Sequence, residues 1–293
     1  MQLSSRSTRI VTSKKKNHAH ISWATIMALV VLIVFAFLFL SPLIWIAITS
    51  LKSVTEMAAY PIHWLPQPAR WQNFSLALTM IDYAHFAWNS LVLSTIYATL
   101  TTLSCALVGF AFARLKGWGQ RPLFMIMLST MMLPPILTLI PTYMLFARLG
   151  MVDTYWPWVL WGLSSSPFLT FLFRQFFTSI PIELEEAAIV DGCGYGRIFW
   201  QIFLPLSKPV LATAAILSFN AVWGDFLGPS LLLSQDNTTL AVAMSAGYAD
   251  AHGLPLLNVL SAGILIYLLP VVLLFLFAQR YFMQGIVTSG LKG

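Results

Sequence analysis

Charge is scarce in this chain: 10 acidic and 16 basic side chains in 293 residues, 9% of the sequence. With 58% of its residues hydrophobic, the composition excludes an ordinary soluble globular domain. Cysteine is scarce as well. Cys105 falls in an apolar run and Cys193 in a polar one, so a disulfide between them is implausible and neither has metal-ligand company. The five histidines (His18, His20, His63, His85 and His252) stand in tails, loops or at the edges of apolar runs. Gly162 to Ser166 lacks the second glycine of a protease serine turn, and no nucleophile–base pair can be assigned. That argues against a membrane-embedded enzyme. No G-x-x-x-x-G-K-[ST] phosphate loop occurs, and the glycines at 192, 194 and 196 are spaced wrongly for a dinucleotide turn. No cofactor is expected in this chain. Ionisable side chains are also missing from the middle of the apolar runs, where an ion-coupled secondary transporter, the alternative reading, would usually carry them.

What the chain does have is length without charge. Uncharged runs cover Ile21–Leu51, Phe86–Ala113, Pro122–Ala147, Thr154–Phe173 and Ala251–Gln279. Each reaches the roughly 20 residues a helix needs to cross hydrocarbon. A sixth, about Ser207–Leu227, carries Lys208 and Asp225 only near its ends. The expectation is an all-α membrane protein with six transmembrane helices, hence both termini on one side. Basic residues choose that side. Arg6, Arg9, Lys14, Lys15 and Lys16 of the N-terminal tail, Arg114, Lys116 and Arg121, then Arg174, Arg197 and Lys208, and finally Arg280 and Lys292 would share it. Lys52, Arg70 and Arg148 are left for the other. The positive-inside rule makes the crowded side cytoplasmic. The net charge of +6 follows from this bias and calls for no nucleic-acid partner.

The organisation expected is a basic tail over residues 1–20, a first transmembrane helix over 21–50, and an extracytoplasmic loop over 51–84. A membrane core over 85–281 and a C-terminal tail over 282–293 complete it. The first run is span-length and lacks a small-residue cleavage site, so it reads as an uncleaved span. Pro61, Pro66 and Pro68 exclude a continuous helix in the loop. Ser90, Thr95, Thr99, Thr101, Thr102, Ser104 and Gly109 give span two the small side chains of a closely packed helix, a reading favoured over a polar solute path. Span three contains Pro134, Pro135 and Pro141. A helix broken there can line a cavity or merely kink for packing, and both readings stand.

The richest segment is the polar island at 179–207. It holds Glu183, Glu185, Glu186 and Asp191, four of the ten acidic residues. Ser179 or Ile180 is placed to cap a helix with Pro181 in its first turn, and Gly192 to stop it. Leu184, Ala187, Ala188 and Asp191 share one face. A helix lying on headgroups should be basic. This one is acidic, which favours docking into a groove on another protein. A second helical stretch, Arg197–Leu204, would lead back to Pro205.

Glu186-Ala187-Ala188, then Gly192, then Ile202 and Leu204-Pro205 resemble, spacing included, the cytoplasmic motif of permeases from binding-protein-dependent ABC importers. The flanks at 111–115, 149–150, 153–156, 174–177, 219–227 and 279–285, with Leu291 to Gly293, resemble the carbohydrate branch of that family. Cys193 stands where the family usually has a smaller residue, and Gly224 where it more often has asparagine. The resemblance implies the type I importer permease fold, in a bacterial inner membrane. It also implies a coupling helix in which Glu183, Glu186, Ala187, Ala188, Asp191 and Gly192 contact a cytoplasmic ATPase dimer. ATP and Mg would be bound by that partner. A second permease, different from this chain, would complete the path, and an extracytoplasmic solute-binding protein would meet the loop at about Gly228–Asn258. The solute implied is a carbohydrate, with no sugar-contacting residue assigned.

Overall fold

The computed structural model describes residues 23–290, and among these the chain is helical apart from its turns and one isolated bridge between Ala249 and Pro255. The basic tail at 1–20 and residues 291–293 lie outside the described residues. The chain divides into two units, Met1–Trp45 and Ile46–Gly293. Helix α1, Trp23–Ser50, runs through the division. In the first unit every described side chain is exposed, the condition of an apolar helix whose solvent is lipid.

The second unit is built on α4, Tyr83–Arg114, 32 residues long and thus about 48 Å from end to end. Asp82 starts it by accepting a hydrogen bond from the His85 backbone N–H (3.1 Å). Before it come α2 (Val54–Met57), closed by a reciprocal Ser53/Glu56 capping box, and α3 (Gln72–Thr79). Between α2 and α3 the proline-rich stretch is non-helical, as expected. The buried Asn73 amide donates to Ser50 O (2.8 Å) and Lys52 O (2.9 Å), pinning α3 to the chain that leaves α1.

The small residues of α4 do what close packing requires. A Cβ on Gly109 would stand 2.6 Å from Phe173 Cβ, and one on Gly162 would stand 2.9 Å from Leu100 Cβ. These glycines let α7 (Trp156–Leu163) and α8 (Pro167–Ser179) lie against α4. Ser90, Ser94, Thr101 and Thr102 are buried, and Thr95, Thr99 and Thr102 border a cleft of about 610 Å³ where α4 faces the two apolar helices α12 (Lys208–Trp223) and α15 (Leu257–Gly290).

Breaks, not kinks, interrupt the expected spans. Three helices among the described residues are long and apolar enough to span a membrane, or up to five if bent pairs count as one crossing each. In span three, α5 (Gln120–Ser129) with the 3-10 turn at Thr130–Met132 meets α6 (Pro135–Arg148) at 101°. Pro134 lacks a donor and forces Leu133 to an extended backbone (ψ 118°). The fourth apolar run is two helices, α7 and α8, separated at 164–166, with Ser165 in the left-handed region (φ 60°). The fifth begins at Lys208, and the chain before it arrives at 83°. The last helix runs on to Gly290, past the expected end at Tyr281, since no residue from Phe282 to Gly290 is proline to stop it.

Candidate functional site

The acidic island folds as α9, Ile182–Val190, followed by a short return: α10 (Tyr195–Ile198), a π-helical turn at Phe199–Phe203 and α11 (Leu204–Leu206). The cap differs by one or two residues from expectation. Pro181 itself is the N-cap, and the Ser179 hydroxyl turns back to Phe176 O (2.7 Å), finishing α8. Glu183 and Glu185 occupy the first turn of α9, where the helix dipole favours negative charge. The stop is a Schellman motif: Gly192 N donates to Ile189 O and Cys193 N to Ala188 O, each at 2.9 Å, with Gly192 at φ +80°.

Burial divides α9 into two sides. Glu183, Glu186, Ala187, Asp191 and Gly192 are exposed, and Val190 is 87% exposed. Ala188 and Glu185 are buried. The face expected from Leu184, Ala187, Ala188 and Asp191 is therefore split, with Ala188 packed in the chain's own core among Phe110, Phe173, Phe177, Ile198 and Phe203. A small side chain suits that position because α9 lies directly on this aromatic cluster. The return stretch is anchored by the same cluster. Phe199 and Phe203 sit 5.3 and 4.9 Å from the Phe110 ring centroid, and the π turn replaces the regular helix expected at Arg197–Leu204.

Glu185 was legible as acidic but not as an anchor. It faces Arg114, the last residue of α4, at 3.6 Å, and each side chain is 8% exposed. Arg114 also donates to Phe177 O (2.7 Å) and to Ile180 O, with its guanidinium 5.0 Å from the Phe203 centroid. Arg174 does similar work one turn away, donating to Phe112 O (3.2 Å) and lying 4.3 Å from the Phe124 centroid. Between α9 and residues 112–125 lies a groove of about 970 Å³, bordered by Arg114, Lys116, Arg121, Arg174, Glu185 and Glu186. Trp118 stands fully exposed in the turn after α4.

At the other end of the second unit, the stretch expected as a polar loop is partly helical: α13 (Leu227–Leu232), α14 (Leu240–Gly247) and a tight turn at 249–255. Asp225 accepts from Gly228 N (3.2 Å), a structural capping role. Asp153 binds the preceding loop to this stretch, accepting from Ser234 N (2.9 Å) and Asn237 Nδ2 (3.0 Å). The Ser234 backbone donor, then the Ser234 and Asn237 side chains, hold its carboxyl below the usual range. Asp250 organises the turn, accepting from His252 N and Leu254 N, both at 2.8 Å. No group of three His, Cys, Asp or Glu side chains placed to hold a metal ion occurs among the described residues.

Residues 105–288 match the family model described as "Binding-protein-dependent transport system inner membrane component". The chain is 32% identical over 269 residues to the probable ABC transporter permease protein YurM of Bacillus subtilis (strain 168), covering 89% of this chain and 87% of that one. It is 31% identical over 288 residues to the arabinooligosaccharides transport system permease protein AraQ of Halalkalibacterium halodurans, covering 96% and 100%. A chain from the crystal structure of a bacterial ABC transporter involved in import of the acidic polysaccharide alginate shares the fold, with TM-score 0.76, 22% identity, and coverage of 88% and 95%. The helix with its glycine stop thus lies inside the matched stretch, and the chain belongs to the family of binding-protein-dependent transport system inner membrane components, as a permease subunit of an ABC importer.

Proposed function

We propose that this chain forms half of the translocation path of an ATP-driven importer for a sugar or sugar-like solute. α9 is its docking helix for a cytoplasmic ATPase dimer. Glu183, Glu186, Ala187, Asp191 and Gly192 make the contact, and Ala188 seats the helix on the core. The other half of the path is a second, different permease, and the segments between Gly228 and Asn258 meet a solute-binding protein outside. Six crossings are proposed, the pair α7 and α8 counting as one, with both termini and α9 in the cytoplasm of a bacterial inner membrane. Thirteen of sixteen Lys and Arg residues fall on the proposed inner side, in support of that orientation.

One observation carries the reading. An acidic helix, stopped by a Schellman motif and seated on a buried aromatic cluster, presents an exposed outer side bearing Glu183, Glu186 and Val190. Nothing about crossing a bilayer requires such a side, whereas a partner groove supplying cations does. The carbohydrate solute rests on the relative named for arabinooligosaccharides.

The test is reconstitution of the chain with its second permease, ATPase and binding protein, followed by uptake of mono- and oligosaccharides, polyols and glycerol phosphate. ATP-dependent uptake that requires the binding protein is expected. Uptake that persists without ATP and vanishes when ion gradients collapse would establish an ion-coupled transporter instead.

A further inference from the structure

We infer that α4 is a stiff strut joining the docking helix to the opposite end of the second unit, with Arg114 and Glu185 as the positioning pair that fastens α9 to it. The inference rests on the docking role proposed for α9. At the C-terminal end of α4 a single guanidinium engages four segments: Phe177 O at the end of α8, Ile180 O in the linker, Glu185 of α9 and the Phe203 ring of the π turn. At 3.6 Å the contact with Glu185 is a charge pair and not a hydrogen bond. Exposed pairs of this kind contribute little, but here water reaches neither partner freely, so neither charge can be left alone at small cost.

At the N-terminal end, His85 Nε2 lies 3.0 Å from Asp236 O, Asn89 Nδ2 donates to Thr238 O (3.2 Å) and Ser90 Oγ accepts from Leu240 N (2.8 Å). Asn89 and Ser90 are buried. From Ser90 to Arg114 the helix is continuous for roughly 36 Å. It is also free of proline, whereas α1 carries Pro42 and α15 carries Pro270 within them. A displacement of α9 therefore reaches the 236–240 segment through one unbroken element.

Arg114→Gln, Glu185→Gln, the double variant and, at the far end, Asn89→Ala are compared in the fully reconstituted importer. The quantity read is ATP hydrolysed per solute imported, normalised to assembled complex. A role in assembly alone lowers yield and leaves this ratio unchanged. The double variant removes both charges and so avoids a lone buried one, keeping assembly measurable. Expected is a rise of at least about fivefold in the double variant and in Asn89→Ala, the scale of an ordinary coupling free energy. Arg114→Lys, which keeps the charge, is expected to lie nearer the wild type than Arg114→Gln. A wild-type ratio in the double variant or in Asn89→Ala overturns the strut. A wild-type assembly that shows no ATP-driven uptake overturns the proposed function instead.

Discussion

Gly192 shows how much one residue can hold. Its φ of +80° is a conformation in which a Cβ is strained, yet a Cβ built there meets nothing within 4 Å. The requirement is thus conformational and not steric. Gly192→Val is expected to lose about 1–2 kcal/mol at this turn and to reduce uptake by loosening the end of α9. Gly192→Asn, which tolerates the left-handed region, should lose less; thermal unfolding and uptake of both variants check this. Glu186→Lys leaves the fold intact because the side chain is exposed, and is expected to weaken retention of the ATPase on co-purification. Asp153 makes a pH prediction. Its folded pKa lies below the ordinary carboxylate value of about 3.9, so its tie is complete above that value and is lost as pH falls through the lowered one. Hydrogen exchange of residues 234–237, corrected for intrinsic rates, should show an acid-driven opening. Asp153→Asn keeps the positive φ of 61° comfortably and should abolish the pH dependence.

Elements act through the closeness of their contacts. α8 lies so near α4 that a Cβ at Gly109 would come within 3.1 Å of Thr170 O and Arg174 N besides Phe173. Backbone cannot move aside as a flexible side chain can. Gly109→Ala is expected to destabilise by about 1–3 kcal/mol and to lower the amount of folded protein recovered from membranes. Gly117→Ala, where the added atom meets open space, should be near neutral. Because Phe173 and Phe177 of α8 belong to the cluster that seats Ala188, the Gly109 variant should also disturb α9. Proteolysis at 182–192 would report it. The prolines of span three were legible as breaks, but a kink and a turn of 101° have the same local signature. Which one forms depends on what the two arms pack against.

For the whole molecule the testable property is orientation. Cys105 is buried and Cys193 half-buried, so a Cys105→Ser chain carries a single native probe beside the proposed docking helix. A membrane-impermeant maleimide is expected to label Cys193 in inverted vesicles and not in intact cells. The reverse would place α9 outside and end the coupling proposal. The purified chain alone, lacking a phosphate loop, should neither hydrolyse ATP nor import a sugar panel in liposomes.

Composition by itself determined that the chain is an all-α membrane protein, since lipid leaves helices as the economical way to satisfy backbone hydrogen bonds over runs this long. The motif spacing and Gly192 likewise marked α9 and its end, because a glycine stop is a local conformational demand. Only the tertiary structure decided which side of α9 faces inward. Glu185 and Glu186 are adjacent in sequence and both acidic, and nothing local tells them apart. Their environments differ because Arg114, 71 positions earlier, is delivered by α4 to one of them alone. The same holds for the fourth run, whose two helices, α7 and α8, lie against α4 through the close approaches at Gly162 and Gly109. Contacts between residues distant in sequence, not residue type, set those outcomes.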